Sequence, residues 1–257
     1  MSARRLSALV TGAASGIGLG VATHLAERGH AVCLTDLDAD AVAEAAAGLH
    51  ARGLEATAMR LDVTSAADIE AVAAALAPSA PDLLVNNAGL QHVAPLEEFP
   101  RERWELLIAV MLTGSAMLTR AVLPGMRRRG FGRIVNVGSI HSLVASPYKS
   151  AYVAAKHGLI GFSRTIALET ADCDVTINTV CPSYVRTPLV EAQIAAQARA
   201  HGMPEQQVVD EIMLRPMPKR AFVTLEELGG IIEFLASDVA RNVTAQSIAV
   251  DGGWTAQ

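Results

Sequence analysis

Tyr152 and Lys156 are two residues whose types and spacing suit proton transfer, and Ser139 precedes Tyr152 by thirteen positions. A free tyrosine has a pKa of about 10, which makes it a poor base near neutral pH. A neighbouring ammonium group favours the phenolate, and residues at positions i and i+4 of a helix share one face. The Ser139 hydroxyl can donate a hydrogen bond to a substrate oxygen. These residues predict a site that takes a proton from an alcohol while a cofactor accepts the hydride.

The stretch LVTGAASGIGLG, residues 9–20, follows a short apolar run and opens an Ala-rich helical segment. Gly12, Gly16 and Gly18 allow a sharp turn and a close approach to a pyrophosphate, whose charge the amino end of a helix favours. Asp36 ends the second apolar run, eighteen residues after Gly18. A carboxylate there accepts hydrogen bonds from a ribose 2′-hydroxyl and repels a 2′-phosphate. The pattern predicts NAD, in preference to NADP, as the cofactor.

Short apolar runs alternate with helical segments along the chain, and these elements must position the chemical groups. The strand candidates are residues 6–10, 31–35, 56–61, 82–86, 132–137, 175–180 and 247–250. Near-continuous apolar runs are typical of parallel strands covered on both faces. The alternation predicts an α/β fold, a Rossmann-type doubly wound parallel sheet of about seven strands in a single domain, 1–257. In residues 186–221 we expect two inserted helices that form a lid over the substrate.

Composition narrows the functional classes. The chain has 257 residues, a hydrophobic fraction of 51% and a net charge of −5 without a long basic stretch, so we expect no nucleic-acid partner. It contains no run of eighteen apolar residues and no signal-peptide pattern at its start, so we expect no membrane span. Cys33, Cys173 and Cys181 lack CxxC spacing, and the histidines lack metal-ligand spacing. We therefore expect free thiols in the cytoplasm and no bound metal.

Three motifs in one order resemble the short-chain dehydrogenase/reductase family over essentially the full length of the chain. They are the TGxxxGxG loop, the NNAG stretch at 86–89 and the S-x12-Y-x3-K spacing of Ser139, Tyr152 and Lys156. The resemblance gives these three residues the catalytic roles and implies a homotetramer. The cofactor-binding residues that it implies are Gly12, Ser15, Gly16, Ile17, Gly18, Asp36, Asp62, Val63, Asn87, Tyr152, Lys156, Pro182, Val185 and Thr187.

Within that set, the resemblance places Asp62 and Val63 against the adenine and Asn87 near the adenosine ribose. The stretch CPSYVRTP, residues 181–188, resembles the family's nicotinamide loop. Ser183 stands where the family usually has a glycine after the proline, which changes the backbone freedom of the loop.

The resemblance also has a larger departure, at Met111. The family has a fourth catalytic residue, an asparagine, in the helix before the fifth strand, and the stretch AVMLTG puts Met111 at that position. In the family this position helps to hold a water that links the catalytic lysine to solvent, partly through its main-chain carbonyl. A thioether is a poor hydrogen-bonding partner. We therefore expect a slower enzyme than one with asparagine at this position, with cofactor binding intact.

Further stretches resemble the branch of the family that interconverts (R)-3-hydroxybutyrate and acetoacetate. They are GLQHVAPLEEFP, HSLVASPYKSAYVAAKHG, VRTPLVEAQI and the ending DGGWTAQ. A small carboxylate needs one cation and several neutral donors, which suits these residue types. Tyr184 stands where this branch commonly has tryptophan, and Trp254 resembles a residue near a neighbouring subunit's site. The substrate-binding residues that the resemblance implies are Gln91, Ser139, His141, Lys149, Tyr152 and Gln193.

Two alternatives to this function stay open. One is a short-chain reductase for another hydroxy or oxo acid, a sugar acid or a 3-oxoacyl thioester. Lys149 favours a free carboxylate over a thioester, and Asp36 disfavours NADPH. The other is a catalytically weak NAD-binding regulatory protein, for which Met111 is the support and against which Tyr152 and Lys156 speak.

Overall fold

Seven parallel strands form one sheet, so their carboxyl ends lie at one edge. The strands are Ser7–Thr11 (β1), Ala31–Asp36 (β2), Ala56–Arg60 (β3), Leu83–Asn86 (β4), Phe131–Val137 (β5), Asp174–Pro182 (β6) and Ser247–Val250 (β7). Their order is β3-β2-β1-β4-β5-β6-β7. The predicted doubly wound α/β fold with about seven parallel strands is confirmed. The computed structural model describes residues 4–77 and 80–256, so both ends of the predicted domain 1–257 lie outside the described residues.

Helices cover both faces of the sheet. They are Gly16–Glu27 (α1), Ala39–Ala51 (α2), Ala66–Ala75 (α3), Arg101–Ile108 (α4), Ser115–Arg129 (α5), Ser150–Glu169 (α6), Pro188–His201 (α7), Glu205–Val208 (α8) and Leu225–Ala236 (α9). Successive strand residues point to opposite faces. Val10 therefore joins the core under α1, α2 and α9, whereas Leu9 joins the core under α3, α5 and α6. Burial on both faces explains the near-continuous apolar runs of the strands.

The stretch Arg101–Arg129 runs through α4, a wide π-helical turn at Ala109–Gly114 and α5. By length and composition alone it could cross a membrane. In the fold, α4 packs against α6 and α5 packs against α3, and 39% of the stretch's most apolar window is buried. Core helices of soluble proteins have the same length and composition. The expectation of no membrane span stays a prediction.

The loops after four strands meet at the carboxyl edge of the sheet. The strand order reverses between β1 and β4, and the loops that follow these two strands begin at Gly12 and Asn87. At such a switch point the loops diverge and leave a crevice that suits a ligand. Ser139 follows β5, and Pro182 ends β6. The fold thus brings residues that are far apart in sequence to one crevice.

A chain of buried hydrogen bonds ties the central strands to α6. Asn86 on β4 donates to Asn136 on β5 over 2.8 Å, and Asn136 donates to the Ser163 hydroxyl on α6 over 2.9 Å. The Ser163 hydroxyl also lies 2.9 Å from Thr179 Oγ1 on β6. All four side chains are buried, so loss of one leaves a partner without a substitute from solvent. This series of hydrogen bonds fixes α6, the helix that carries the predicted catalytic pair.

Residues 186–221 leave the sheet after β6 and contain α7, α8 and a second wide turn at Val209–Met213. Their apolar side chains, among them Val190, Ile194 and Met213, form a small core of their own. The segment therefore has two helices, and its role as a lid stays a prediction.

We expect Ser163→Ala to lower the free energy of unfolding by about 1–3 kcal/mol, because the buried Asn136 amide loses its acceptor. Urea unfolding followed by circular dichroism measures the change. Thr165→Ala is the matched control, since the exposed Thr165 lies on the same helix and its hydroxyl also bonds to the carbonyl one turn before. Equal losses in the two variants would contradict a special role for the buried chain.

Candidate active site

The turn from β1 into α1 is packed too tightly for a side chain at Gly12 or at Gly18. Gly12 has a φ of +61°, and a Cβ there would lie 2.9 Å from the Ala88 Cα. A Cβ on Gly18 would lie 2.1 Å from the Gly12 carbonyl oxygen. The side-chain amide of Asn87 donates to the carbonyls of Thr11 and Gly12 over 2.9 and 3.0 Å. Gly18 therefore permits the close packing of α1 on the loop, and Asn87 holds the loop against the end of β4.

A cleft extends from this loop along the carboxyl edge of the sheet. Pro182 and Val185 line a smaller cavity beside the cleft, and Gly18 lines neither space. Their roles toward a cofactor stay predictions. The predicted cofactor residues that do line the cleft are Gly12, Ser15, Gly16, Ile17, Asp36, Asp62, Val63, Asn87, Tyr152, Lys156 and Thr187.

Two features fit this cleft to a dinucleotide with a free ribose. The Ser15 side chain makes no capping bond to the start of α1, which leaves the first amides of that helix available to a pyrophosphate. Asp36 is fixed at the end of β2, because its Oδ2 accepts a hydrogen bond from the Ala14 amide over 3.1 Å. Asp62 places a second carboxylate in the same cleft. Two carboxylates repel a 2′-phosphate, so the residues fit NAD better than NADP.

Ser139, Tyr152 and Lys156 meet where the cleft adjoins the smaller cavity. The Ser139 hydroxyl accepts a hydrogen bond from the His141 amide over 3.1 Å, so its own proton remains available to Tyr152 or a substrate. Tyr152 and Lys156 lie one turn apart on α6. Lys156 is only 5% exposed, and its Nζ donates to the Val137 carbonyl over 2.7 Å. This bond joins α6 to the end of β5 at the site itself.

Burial controls the pKa values of the predicted catalytic pair, Tyr152 and Lys156. Burial raises the pKa of Tyr152, and the hydrogen bond with Ser139 partly offsets the effect. Burial lowers the pKa of Lys156 to about 8, with a smaller opposing contribution from Cys181. The sequence predicted a phenolate favoured by the lysine. In the structure the Lys156 Nζ bonds to the Val137 carbonyl and lies 5.6 Å from the centre of the tyrosine ring. A nicotinamide cation bound beside the ring would lower the pKa of Tyr152.

The smaller cavity brings together the six residues predicted to bind substrate. Among the described residues that line it, Lys149 carries the positive charge and none is a carboxylate. Burial lowers the pKa of Lys149, and burial together with Lys149 lowers the pKa of His141 to about 4. The imidazole is therefore neutral near pH 7. The cavity offers one cation and several neutral donors, which suits a small anion. The six residues are Gln91, Ser139, His141, Lys149, Tyr152 and Gln193.

Trp254 packs against the same cavity from the C-terminal side. Its ring lies 6.0 Å from the His141 ring at 81° and 6.1 Å from the Tyr184 ring at 31°, measured between ring centres. Asp251 holds the turn that carries it, because the Asp251 carboxylate accepts hydrogen bonds from the Thr255 amide and hydroxyl over 2.8 and 2.7 Å. The resemblance implied a position near a neighbouring subunit's site for Trp254, and an ordinary core or interface aromatic was the alternative. The structure shows it against His141 of its own chain.

Sequence reasoning missed the apolar residues that line both spaces. Leu37 gave a usable signal, because it directly follows Asp36, the residue predicted to bind the ribose. In the structure its side chain is 60% exposed, which is unusual for a leucine at the end of a buried strand. The others gave no signal, since aliphatic residues that line a cavity have the same sequence pattern as core residues. Among them are Leu90, Leu106 and Val110 in the cleft and Ile140 and Leu189 in the cavity.

Met111 lies in the wide turn between α4 and α5 and is only 1% exposed. It packs in a small apolar cluster with residues of α4 and α6, against which Tyr152 also packs. Its carbonyl accepts a hydrogen bond from the Ser115 hydroxyl over 2.9 Å. The thioether thus adds hydrocarbon beside the tyrosine, and the carbonyl already has one partner.

Comparison with known proteins gives matches over nearly the whole chain. The family model described as enoyl-(acyl carrier protein) reductase matches residues 12–255. A D-beta-hydroxybutyrate dehydrogenase of Rhizobium meliloti is 44% identical over 98% of this chain and 99% of its own. This chain belongs to the short-chain dehydrogenase/reductase family. A D-beta-hydroxybutyrate dehydrogenase of Cupriavidus necator is 47% identical to this short-chain dehydrogenase/reductase, over 98% of each chain.

A solved structure shows the same fold. A variant of actinorhodin polyketide ketoreductase, crystallised with NADPH, superposes on this short-chain dehydrogenase/reductase with a TM-score of 0.92. The two chains are 33% identical, and the match covers 97% of each. The resemblance to the family stated from the motifs is therefore confirmed.

We expect Met111→Asn to raise turnover, because an amide can hold a water near Lys156 and a thioether cannot. The gain should be about tenfold at most, since a complete acid–base group supplies roughly 100-fold or more. Steady-state NADH formation measures turnover, and quenching of protein fluorescence measures NAD binding, which should not change. Met117→Asn, on the partly exposed side of α5, is the control. Turnover that stays the same or falls in Met111→Asn would refute the expectation.

Proposed function

We propose that this chain is an NAD-dependent dehydrogenase that oxidises (R)-3-hydroxybutyrate to acetoacetate, reversibly. The observation that carries the proposal is Lys149, a cation without a carboxylate partner among the described residues, in the cavity that also holds Ser139 and Tyr152. A substrate whose carboxylate binds Lys149 and whose hydroxyl reaches Tyr152 must be short. Two relatives at 44% and 47% identity are named D-beta-hydroxybutyrate dehydrogenases, which supports the same substrate.

The chain's own groups account for the proton and the alignment of the substrate. NAD, held by the lining of the cleft, would supply the hydride acceptor. Tyr152 takes the proton of the substrate hydroxyl as the ketone forms, and Ser139 donates a hydrogen bond to the same oxygen. Lys156 stabilises the phenolate while its ammonium stays charged. Lys149 holds the carboxylate, with Gln91, His141 and Gln193 as neutral donors, so the carbon that loses hydride stays in one place.

Lys149 favours this function over reduction of a 3-oxoacyl thioester. A 3-oxoacyl thioester has no free carboxylate to neutralise Lys149, so its binding would leave a partly buried ammonium without a counter-charge. Asp36 and Asp62 favour NAD, which suits oxidation of a hydroxy acid. A regulatory protein without turnover has no need of Ser139 and Tyr152 in one cavity.

We also propose a homotetramer of single-domain subunits in the cytoplasm, with residues 186–221 closing over the substrate. Exposed apolar side chains support association, namely Leu168 on α6, Phe234 on α9 and Val239 after it. The three cysteines are free, which suits a reducing compartment.

The direct test follows NADH absorbance with purified protein, NAD and each enantiomer of 3-hydroxybutyrate, beside a panel of other hydroxy acids. We expect turnover of the (R) enantiomer and much less of the (S) enantiomer, because Lys149 holds the carboxylate while Tyr152 holds the hydroxyl. We also expect much less turnover with NADP, because Asp36 repels a 2′-phosphate. Tyr152→Phe should abolish turnover and still bind NADH. Good turnover of another hydroxy acid without turnover of the (R) form would overturn the proposal.

A second prediction concerns the carboxylate. Lys149→Ala should raise the KM for (R)-3-hydroxybutyrate by roughly 10- to 100-fold, the loss of a charge-assisted hydrogen bond, and should change the KM for the uncharged methyl ester far less. Lys219→Ala removes an exposed lysine outside the cavity and is the control. Equal effects of Lys149→Ala on the acid and the ester would contradict a carboxylate contact.

The pH dependence adds a separate check on the same contact. The lowered pKa of Lys149 means that the wild-type KM for the acid should begin to rise below the usual lysine range, as the ammonium loses its proton. No step should occur near pH 6.5, because His141, with a pKa of about 4, is already neutral there.

A further inference from the structure

The loop after β6 carries two neighbouring hydroxyl groups into the wall of the substrate cavity. Ser183 and Tyr184 both line the cavity, and the Ser183 amide donates to the Val250 carbonyl over 3.0 Å, which anchors the loop to β7. The Tyr184 ring is partly buried and lies beside the Trp254 ring, with 6.1 Å between ring centres. The loop is therefore fixed from two sides, and its side chains face a defined space.

Neither hydroxyl has a partner within the described part of the chain. The Ser183 Oγ is buried without a hydrogen bond. The Tyr184 hydroxyl makes none of the hydrogen bonds found among residues 4–77 and 80–256, and burial raises its pKa. The Tyr184 hydroxyl still meets solvent in the cavity, and it would lose that water without gaining a partner if an apolar ligand filled the space. This loss costs free energy, so the wall is suited to a ligand that brings a polar atom.

The position of Tyr184 selects the part of the substrate that it meets. Tyr152 and Tyr184 line the same small cavity, so the two phenols face one space. Tyr152 meets the oxygen on the reacting carbon. One carbon neighbour of that reacting carbon leads to the carboxylate at Lys149. The other neighbour, carbon 4 of a 3-hydroxy acid, is left for the wall of Tyr184.

We propose that Tyr184 is a specificity-determining residue whose hydroxyl pairs with a polar group on carbon 4. Short 3-hydroxy acids with a hydroxyl there are then substrates beside (R)-3-hydroxybutyrate, and they are preferred over acids of equal size with an apolar group there. The inference rests on the proposed function and extends its substrate class. An apolar group at carbon 4 fits the same space but leaves the phenol unpaired once the cavity closes. A site built around a hydrogen bond discriminates against the analogue that lacks it.

A pair of substrates of equal size separates polarity from volume. (S)-3,4-dihydroxybutyrate and (R)-3-hydroxypentanoate have the same number of non-hydrogen atoms and the same arrangement in space at carbon 3. The descriptor changes only because a hydroxymethyl group outranks the carboxymethyl group. Oxidation of either acid transfers a hydride to NAD and releases one proton, so NADH absorbance reports both reactions.

We expect the wild-type kcat/KM for the dihydroxy acid to exceed that for the hydroxypentanoate by about tenfold. In Tyr184→Phe, which keeps the ring beside Trp254, the ratio should fall to about one or below. Tyr148→Phe makes the same chemical change at a side chain that is 59% exposed and outside the cavity, so its ratio should equal that of the wild type.

A wild-type ratio of one or below, or an unchanged ratio in Tyr184→Phe, would overturn the inference. Should Tyr184→Phe fail to fold, the wild-type ratio decides alone. The result also distinguishes failure of the proposed function from failure of the role of Tyr184. Wild-type protein that binds NADH but oxidises none of the acids, (R)-3-hydroxybutyrate included, refutes the proposed function. Protein that oxidises (R)-3-hydroxybutyrate without favouring the dihydroxy acid refutes only the role of Tyr184.

Discussion

The hydrogen bond from Lys156 to the Val137 carbonyl is the contact on which the site depends. It places a cation where almost no water reaches, and burial shifts the pKa of that cation down to about 8. A charge in such a place is kept only if its surroundings do not move. The buried hydrogen bonds from Asn86 through Asn136 to Ser163 supply this rigidity. They fix α6, which carries Lys156, to β5 and through it to β4.

The site separates its charges along one line of loops. Carboxylates, Asp36 and Asp62, occupy the end where a ribose and an adenine would bind, and the ammonium of Lys149 lies in the substrate cavity. Between them lie a buried ammonium and neutral donors. A dinucleotide without a 2′-phosphate and a small acid can bind side by side in this field without like charges meeting.

The sequence predicts local features of this protein better than distances between side chains. Strand positions followed from apolar runs, because parallel strands are buried on both faces. Glycine spacing predicted the loop after β1, because only glycine fits a contact as close as that at Gly18. The sequence did not predict the raised pKa of Tyr152. That pKa depends on burial and on which acceptor takes the hydrogen bond of Lys156, and both are properties of the packed structure. Leu90 and Ile140 gave no signal, because a cavity wall and a core use the same side chains.

The scarcity of lysine has a practical consequence for chemical labelling. The chain has three lysines: Lys219 is exposed, Lys156 is almost completely buried, and Lys149 is partly exposed in the substrate cavity. Amine-directed reagents attack the uncharged amine, and the lowered pKa of Lys149 increases that fraction at any given pH. Coupling this protein to a dye or a solid support through its lysines therefore places part of the reagent at Lys149, in the proposed substrate cavity, as well as at Lys219. Attachment through other side chains leaves the cavity open.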